Sequence, residues 1–157
     1  MTLSAAIKAR VVKAGPFKYK MGTSGCREKY PVFTTDFVGI LVEAICQYLK
    51  QNFSVLGLQQ RGIVLGGDPR LDNDQRIQLA IRICAAHGIR TRVVIGDVAP
   101  TPAISHFIRK FHSCGAIILT ASHNPGGPNG DAGLKFNAEN GGPALPSVSD
   151  AICALAA

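Results

Sequence analysis

The sequence predicts an α/β fold, a three-layer α/β/α sandwich built on a mostly parallel, mixed sheet. Two observations carry that expectation. Short apolar runs at 62–68, 91–96 and 115–119 alternate with longer stretches whose apolar residues recur at helical spacing. Strands separated by single helices cannot be joined as hairpins, so they run parallel and need cover on both faces. A third observation sets the scale: 157 residues, 46% hydrophobic and 17% charged, suffice for one ordered domain with a core.

The elements follow in order. Residues 1–20 form a basic lead-in, with an edge strand near Val11 and Val12, and Gly22 to Arg27 reads as a loop. Phe37, Ile40, Leu41, Ala44, Ile45, Tyr48 and Leu49 lie at helical spacing, so a helix runs from Thr35 to Gln51, capped by Thr34 or Thr35. Gly62 to Asp68 is a buried strand that ends in a glycine turn. Asn73 or Asp74 caps a second helix to about His87, and Gly88 ends it. Thr91 to Gly96 is the next strand. Pro102 suits the first turn of a third helix through about Phe111. A strand at 115–119 leads into the loop at Ser122, Gly133 to Asn137 returns as a short strand, and 146–156 forms a last helix cut off by the chain end. That ending points to one piece of something longer.

Composition narrows the function. The longest apolar runs fall far short of a membrane span, and the first residues lack the apolar core of a secretory signal. Cys26, Cys46, Cys84, Cys114 and Cys153 are odd in number and scattered, without Cys-x-x-Cys spacing. That argues against zinc and for a reducing, cytoplasmic compartment. Four of the five sit in apolar segments as core residues; Cys26 lies in the glycine-rich loop, which leaves a reactive thiol open. The net charge is +7, but the basic residues are dispersed and carry no interleaved aromatics. Nucleic acid is therefore a poor fit as partner, and an anionic small molecule such as a phosphate ester suits the sign.

The most informative stretch is Thr120-Ala121-Ser122-His123-Asn124-Pro125-Gly126-Gly127-Pro128, which follows a buried strand. Open α/β sheets place their chemistry at such strand ends. A serine hydroxyl needs an activating base or environment to act as nucleophile; His123 is adjacent, and the hydrolase Gly-x-Ser-x-Gly elbow is absent. The alternative is a turn serine bonded to its own backbone. In Gly22-Thr23-Ser24-Gly25-Cys26-Arg27 the amides can converge on an anion and Arg27 adds a fork of donors, although the stretch is not a P-loop. Gly66-Gly67-Asp68-Pro69-Arg70 lacks dinucleotide spacing and reads as a structural strand-end turn. Lys135, flanked by apolar residues, either points into a cleft with a lowered pKa or sits on the polar face of an edge strand. His87, His106 and His112 read as surface or capping residues.

Taken together these loops resemble the α-D-phosphohexomutases. The matching elements are Gly-Thr-Ser-Gly-x-Arg at 22–27, Gly-Gly-Asp-x-Arg at 66–70, Thr-Pro-Ala at 101–103, and the run from Thr120 through Asn137. In chain order they are similar to the first domain of that family, and the Pro-Gly-Gly-Pro continuation resembles its glucose-specific branch. The resemblance implies the family's domain I over residues 1–157 and interconversion of glucose 1-phosphate and glucose 6-phosphate. It implies Ser122 as the phosphoserine, whose phosphate also ligates a catalytic Mg²⁺, and glucose 1,6-bisphosphate as intermediate and activator. Lys135 would transfer a proton with His123 in support, and Arg27, Thr23, Ser24 and Asn124 would bind phosphate. The family's Asp-Gly-Asp-x-Asp-Arg metal loop, Gly-Glu-Glu-Ser sugar loop and Arg-Ser-Gly-Thr phosphate loop do not occur in these residues. The chain is thus expected to be a first domain, a fragment or truncated product inactive alone. Its partners would be a phosphosugar and the remaining domains, with no nucleic acid and no membrane. The competing expectation is a non-catalytic relative kept as a binding or scaffolding module.

Overall fold

In the computed structural model the described residues are 20–22, 24–94 and 99–157. The strand expected near Val11 and Val12, the candidate binding residue Thr23 and the Ile95–Gly96 end of the third strand lie outside them.

The loop expected at 22–27 is shorter than its sequence suggests. Gly22 and Gly25 pair across a tight turn, and the chain enters β1 at Cys26–Lys29. Gly25 has φ +89°, and a Cβ there would run into the Leu134 carbonyl of the neighbouring strand, so only glycine fits. Thr34, the first of the two candidate caps, accepts a hydrogen bond from the Phe37 amide at 3.2 Å and opens α1, Thr35–Asn52. A six-residue helix, α2 at Val55–Gln60, follows behind a Ser54 cap. It has too few turns to show periodicity, and the sequence reading passed over it.

β2 (Ile63–Gly67) leads to α3 (Asn73–Ala86). Neither Asn73 nor Asp74 caps this helix. Asp72 occupies the cap position at φ +60°, but its carboxylate accepts from the Tyr30 hydroxyl rather than from a helix amide, while Asn73 is the first helical residue and turns its amide to other work. Gly88, at φ +71°, ends the element as expected. β3 (Thr91–Val93) comes next, then α4 (Thr101–Lys110) with Pro102 in its first turn, β4 (Gly115–Leu119), β5 (Asp131–Ala138) and α5 (Pro146–Ala156). β5 is longer than the return strand expected at 133–137.

Among the described residues the strands form one five-stranded sheet in the order β1-β5-β4-β2-β3. β2 pairs in parallel with β3 and β4, whereas β5 is antiparallel to both β4 and β1. Four strands therefore point one way and β5 alone points back, which makes the sheet mixed and mostly parallel.

Alternation along the strands divides the core into two layers. Ile63 and Leu65 of β2, Ile117 and Leu119 of β4, and Leu134 and Phe136 of β5 face α1, α3 and α5. Val64, Ala116 and Ile118 face Ile104 and Ile108 of α4 on the other side. The result is the expected α/β/α sandwich. Because α3 crosses one face and α4 the other, the chain reverses direction across the sheet between β2 and β4. That gap, at the carboxyl ends of two parallel strands, is where doubly wound sheets bind ligands. Among the described residues no helix is long and apolar enough to cross a membrane.

Candidate active site

The carboxyl ends of β2 and β4 carry two loops that hold each other. Gly67 lies so close to β4 that a Cβ would strike the Leu119 carbonyl. The Asp68 amide donates to that carbonyl at 3.0 Å, and the Asn73 amide group donates to it at 3.1 Å and to the Asp68 carbonyl at 2.9 Å. The Asp68 carboxylate accepts from the Thr120 hydroxyl at 2.7 Å and from Arg70 Nε at 2.9 Å. Arg70 then spends its other nitrogens on the far loop. Nη2 donates to the Ser122 and Asn124 carbonyls at 2.8 and 2.9 Å, and Nη1 to the Asp131 carbonyl at 2.8 Å.

Ser122 sits inside this clamp. Its amide donates to Thr120 Oγ1 at 3.0 Å and its carbonyl is taken by Arg70. Its φ is +58°, the left-handed region that a non-glycine residue enters at a cost of about 1 kcal/mol or more. Bonds from both peptide neighbours hold it there, and the hydroxyl stays exposed. The turn-serine alternative would have that hydroxyl bonded to its own backbone; its neighbour here is His123 Nδ1, at a long 3.4 Å.

Ser122 lines a small cleft of about 90 Å³ with Ser24, Arg27, Thr101, Thr120 and Lys135. They come from β1 and the turn before it, the start of α4, the loop after β4, and β5, which the sheet brings together. Arg27 stands on β1 opposite Gly133, and Lys135 on β5 opposite Ile118. Since β5 has β1 on one side and β4 on the other, Lys135 is not on an edge strand. Burial pulls its ammonium below the usual lysine range. Arg27 Nη1 donates to Asn124 Oδ1 at 3.3 Å, the Asn124 amide group donates to Asp131, and Lys29 pairs with Asp131 at 2.7 Å. Lys29 and Asn124 together hold the Asp131 carboxyl below the ordinary aspartate range. Asn124 thus lies beside the cleft and braces Arg27. Two cations and four hydroxyls converge there, a set suited to a phosphoryl group.

Several residues in this arrangement were not singled out from the sequence. Asp68 and Arg70 were read as a strand-end turn and as part of the 66–70 element of the resemblance, with no role given to either; in space that turn is the clamp on the Ser122 loop. Asn73 was read as a candidate helix cap and Thr101 as part of the Thr-Pro-Ala element, neither with a part in the clamp or the cleft. The signal was available in the Asp-x-Arg that follows two glycines, where a charged pair at a strand end needs a partner. Cys26 is corrected in the opposite direction. It is a core residue of β1, 3% exposed, and burial pushes its thiol up to about 12, so it is no reactive thiol. Of the two readings of His87, surface or capping, the second holds: it is the C-cap residue of α3, and its ring bonds Glu43 of α1 at 3.0 Å between packed helices.

The comparisons with known proteins agree with this architecture. Residues 18–157 match the family described as phosphoglucomutase/phosphomannomutase, alpha/beta/alpha domain I. The chain is 44% identical over 149 residues to phosphoglucomutase-1 of Dictyostelium discoideum, covering 92% of this chain and 25% of that protein. Against phosphoglucomutase-1 of Homo sapiens it is 44% identical over 149 residues, covering 93% and 26%. The solved open form of the Paramecium exocytosis-sensitive phosphoprotein pp63/parafusin, a phosphoglucomutase, superposes with a TM-score of 0.76 at 37% identity, over 87% of this chain and 25% of that one. The chain therefore spans about a quarter of the length of these relatives. A β/α frame with its loops gathered at the β2–β4 crevice, matched across residues 18–157, makes this chain a member of the phosphoglucomutase/phosphomannomutase family, corresponding to its alpha/beta/alpha domain I.

Proposed function

We propose that this chain is the phosphoserine-bearing first domain of a phosphoglucomutase, an intramolecular phosphotransferase that interconverts glucose 1-phosphate and glucose 6-phosphate. The observation that carries the reading is Ser122, forced into a left-handed backbone with its hydroxyl exposed in a cleft beside Arg27 and Lys135. Strain of this kind persists where surrounding bonds over-determine it, and it collects at functional sites. The exposed oxygen would carry the phosphoryl group. A sugar hydroxyl attacks phosphorus, the bond to Ser122 Oγ breaks, and the resulting glucose 1,6-bisphosphate turns and returns the other phosphoryl group to the serine.

The residues divide the work by chemistry. Arg27 offers a planar fork to phosphoryl oxygens, with Ser24 and Asn124 as further polar contacts around it, and Thr23 keeps the phosphate-binding role that its sequence motif implies. The amine of Lys135, more easily neutral than an ordinary lysine, takes the proton from the attacking sugar hydroxyl, and His123, beside Oγ, supports the proton that the serine oxygen regains. Among the described residues no group of three His, Cys, Asp or Glu side chains comes together to hold a metal. Phosphorylated Ser122 would offer Mg²⁺ one oxygen, and its other ligands would come from elsewhere in a longer protein. When bound there, the cation neutralises charge on the phosphoryl oxygens.

The test is a hybrid in which residues 18–157 replace the matching quarter of the Dictyostelium phosphoglucomutase-1. After incubation with glucose 1,6-bisphosphate, phosphate should map to Ser122 and vanish in Ser122→Ala. Phosphate on another residue, or unchanged label in the alanine variant, overturns the reading.

A further inference from the structure

Two cysteines outside the proposed chemistry meet between the helices of the larger core layer. Cys46 projects from α1 and Cys84 from α3; both are fully buried, and their sulfurs are 3.8 Å apart. Three residues away along each helix the same two elements are joined again. Glu43 of α1 accepts the contact from His87 of α3 at 3.0 Å, with both side chains about nine-tenths buried. Residues three apart share a helix face, so the Glu43–His87 contact and the cysteine pair are successive rungs of one ladder. The polar rung fixes the register that keeps the two sulfurs opposed. Closing from contact to a bond of about 2.05 Å asks for a movement of about 1.8 Å, within reach of small side-chain rotations in two helices already packed together.

We propose that Cys46 and Cys84 form an oxidisable dithiol whose product is an intrachain disulfide stapling α1 to α3. The inference stands apart from the phosphotransfer reading and shares no residue with it. The oxidant is a peroxide. The sulfur of Cys84 attacks one peroxide oxygen, the O–O bond breaks, and water leaves a sulfenic acid on Cys84. The sulfur of Cys46 then attacks that sulfur, the S–O bond breaks, and a second water departs. Two thiols lose two electrons and two protons, and hydrogen peroxide becomes two waters. The hydrogen bond from Cys46 works against burial to favour the Cys84 thiolate, while that contact and burial hold the Cys46 proton on. Because both sulfurs are shielded, the rate follows local opening of the α1–α3 contact. Cys26 and Cys153 form a second cysteine neighbourhood, in which Cys153 Sγ already accepts the Met21 amide at 3.1 Å. They serve as an internal comparison.

The experiment treats the full chain with hydrogen peroxide under native conditions, alkylates remaining thiols after denaturation, and maps the products by mass spectrometry. The expected result is a peptide pair joined through Cys46 and Cys84 with loss of two hydrogens, reversed by a dithiol reductant. A cross-link closing a loop of this length should raise the melting temperature by about 5 °C or more, and α3 amides should exchange more slowly. Cys46→Ala should lose both the joined peptide and the gain in melting temperature, while Cys153→Ala should keep them. Full alkylation of Cys46 and Cys84 after oxidation overturns the proposal, as does a Cys26–Cys153 link in their place. Mapping in the unaltered chain decides the matter even if an alanine variant does not fold.

Discussion

Lys135 carries a charge that folding partly removes from water. Its pKa is lowered in the folded chain by burial alone, so between that lowered value and the ordinary lysine range the unfolded chain holds the proton more tightly. Stability contributed through this group therefore rises with pH across that window and is smaller below it. Lys135→Met, which keeps the stem and removes the charge, should leave the melting temperature unchanged or higher and flatten its alkaline slope. In the hybrid enzyme the proposed proton transfer through Lys135 implies that the same variant loses turnover on the order of 10²-fold. Thermal melting and a coupled assay on one preparation separate the two effects; near-normal turnover would move the proton to another residue. Arg27 is a different kind of group, valued for geometry as well as charge. Arg27→Lys keeps the charge and loses the planar fork, and should cost about tenfold in turnover, or roughly 1.4 kcal/mol in the barrier.

At the scale of elements, the Ser122 loop and the Asp68–Arg70 turn are one unit. Arg70 replaces water at three loop carbonyls and is itself held by Asp68. Hydrogen bonds from a charged donor are worth about 1.5–3 kcal/mol each, less what solvent recovers. Arg70→Lys keeps one cation but cannot reach three carbonyls and a carboxylate at once. We expect a loss of about 2 kcal/mol, seen as a melting temperature lower by about 4–8 °C, together with faster amide exchange at 121–126. An unchanged melting temperature would mean the clamp contributes little. This unit also marks what the sequence conceals. The strand end, the turn glycines and Ser122 are each legible as local signals, since glycine, proline and an apolar run act on their own neighbours. The Arg70 contacts join positions more than fifty residues apart, and no spacing rule within either loop encodes them. The same holds for His87, whose carboxylate partner comes from another helix.

At the scale of the molecule, fold class was open to reading because alternating periods of two and 3.6 leave few architectures that bury both. The strand order was not, since β1 joins the sheet through β5, the last strand in the chain. Ser122, Lys135 and Arg27 were legible as candidates in the sequence; their convergence on one cleft depends on that late pairing. The cleft also faces outward without a described cluster of metal-ligating side chains. We therefore expect the chain by itself to show little mutase activity in a coupled assay with glucose 1-phosphate and Mg²⁺. Turnover on the order of 10 per second, ordinary for an enzyme, would contradict this.

The pairing of β1 with β5 bears on how the protein is born. A ribosome releases Cys26–Lys29 about a hundred residues before Asp131–Ala138, the only described strand on which they pair. Until then β1 has no template, and Arg27 has no fixed relation to Ser122. The parallel strands β2, β3 and β4 and their helices can settle during synthesis, whereas the Arg27 wall of the cleft closes only after Asp131–Ala138 has emerged. An mRNA cut short before the codon for Asp131 would therefore encode a polypeptide with its serine in place and its arginine adrift.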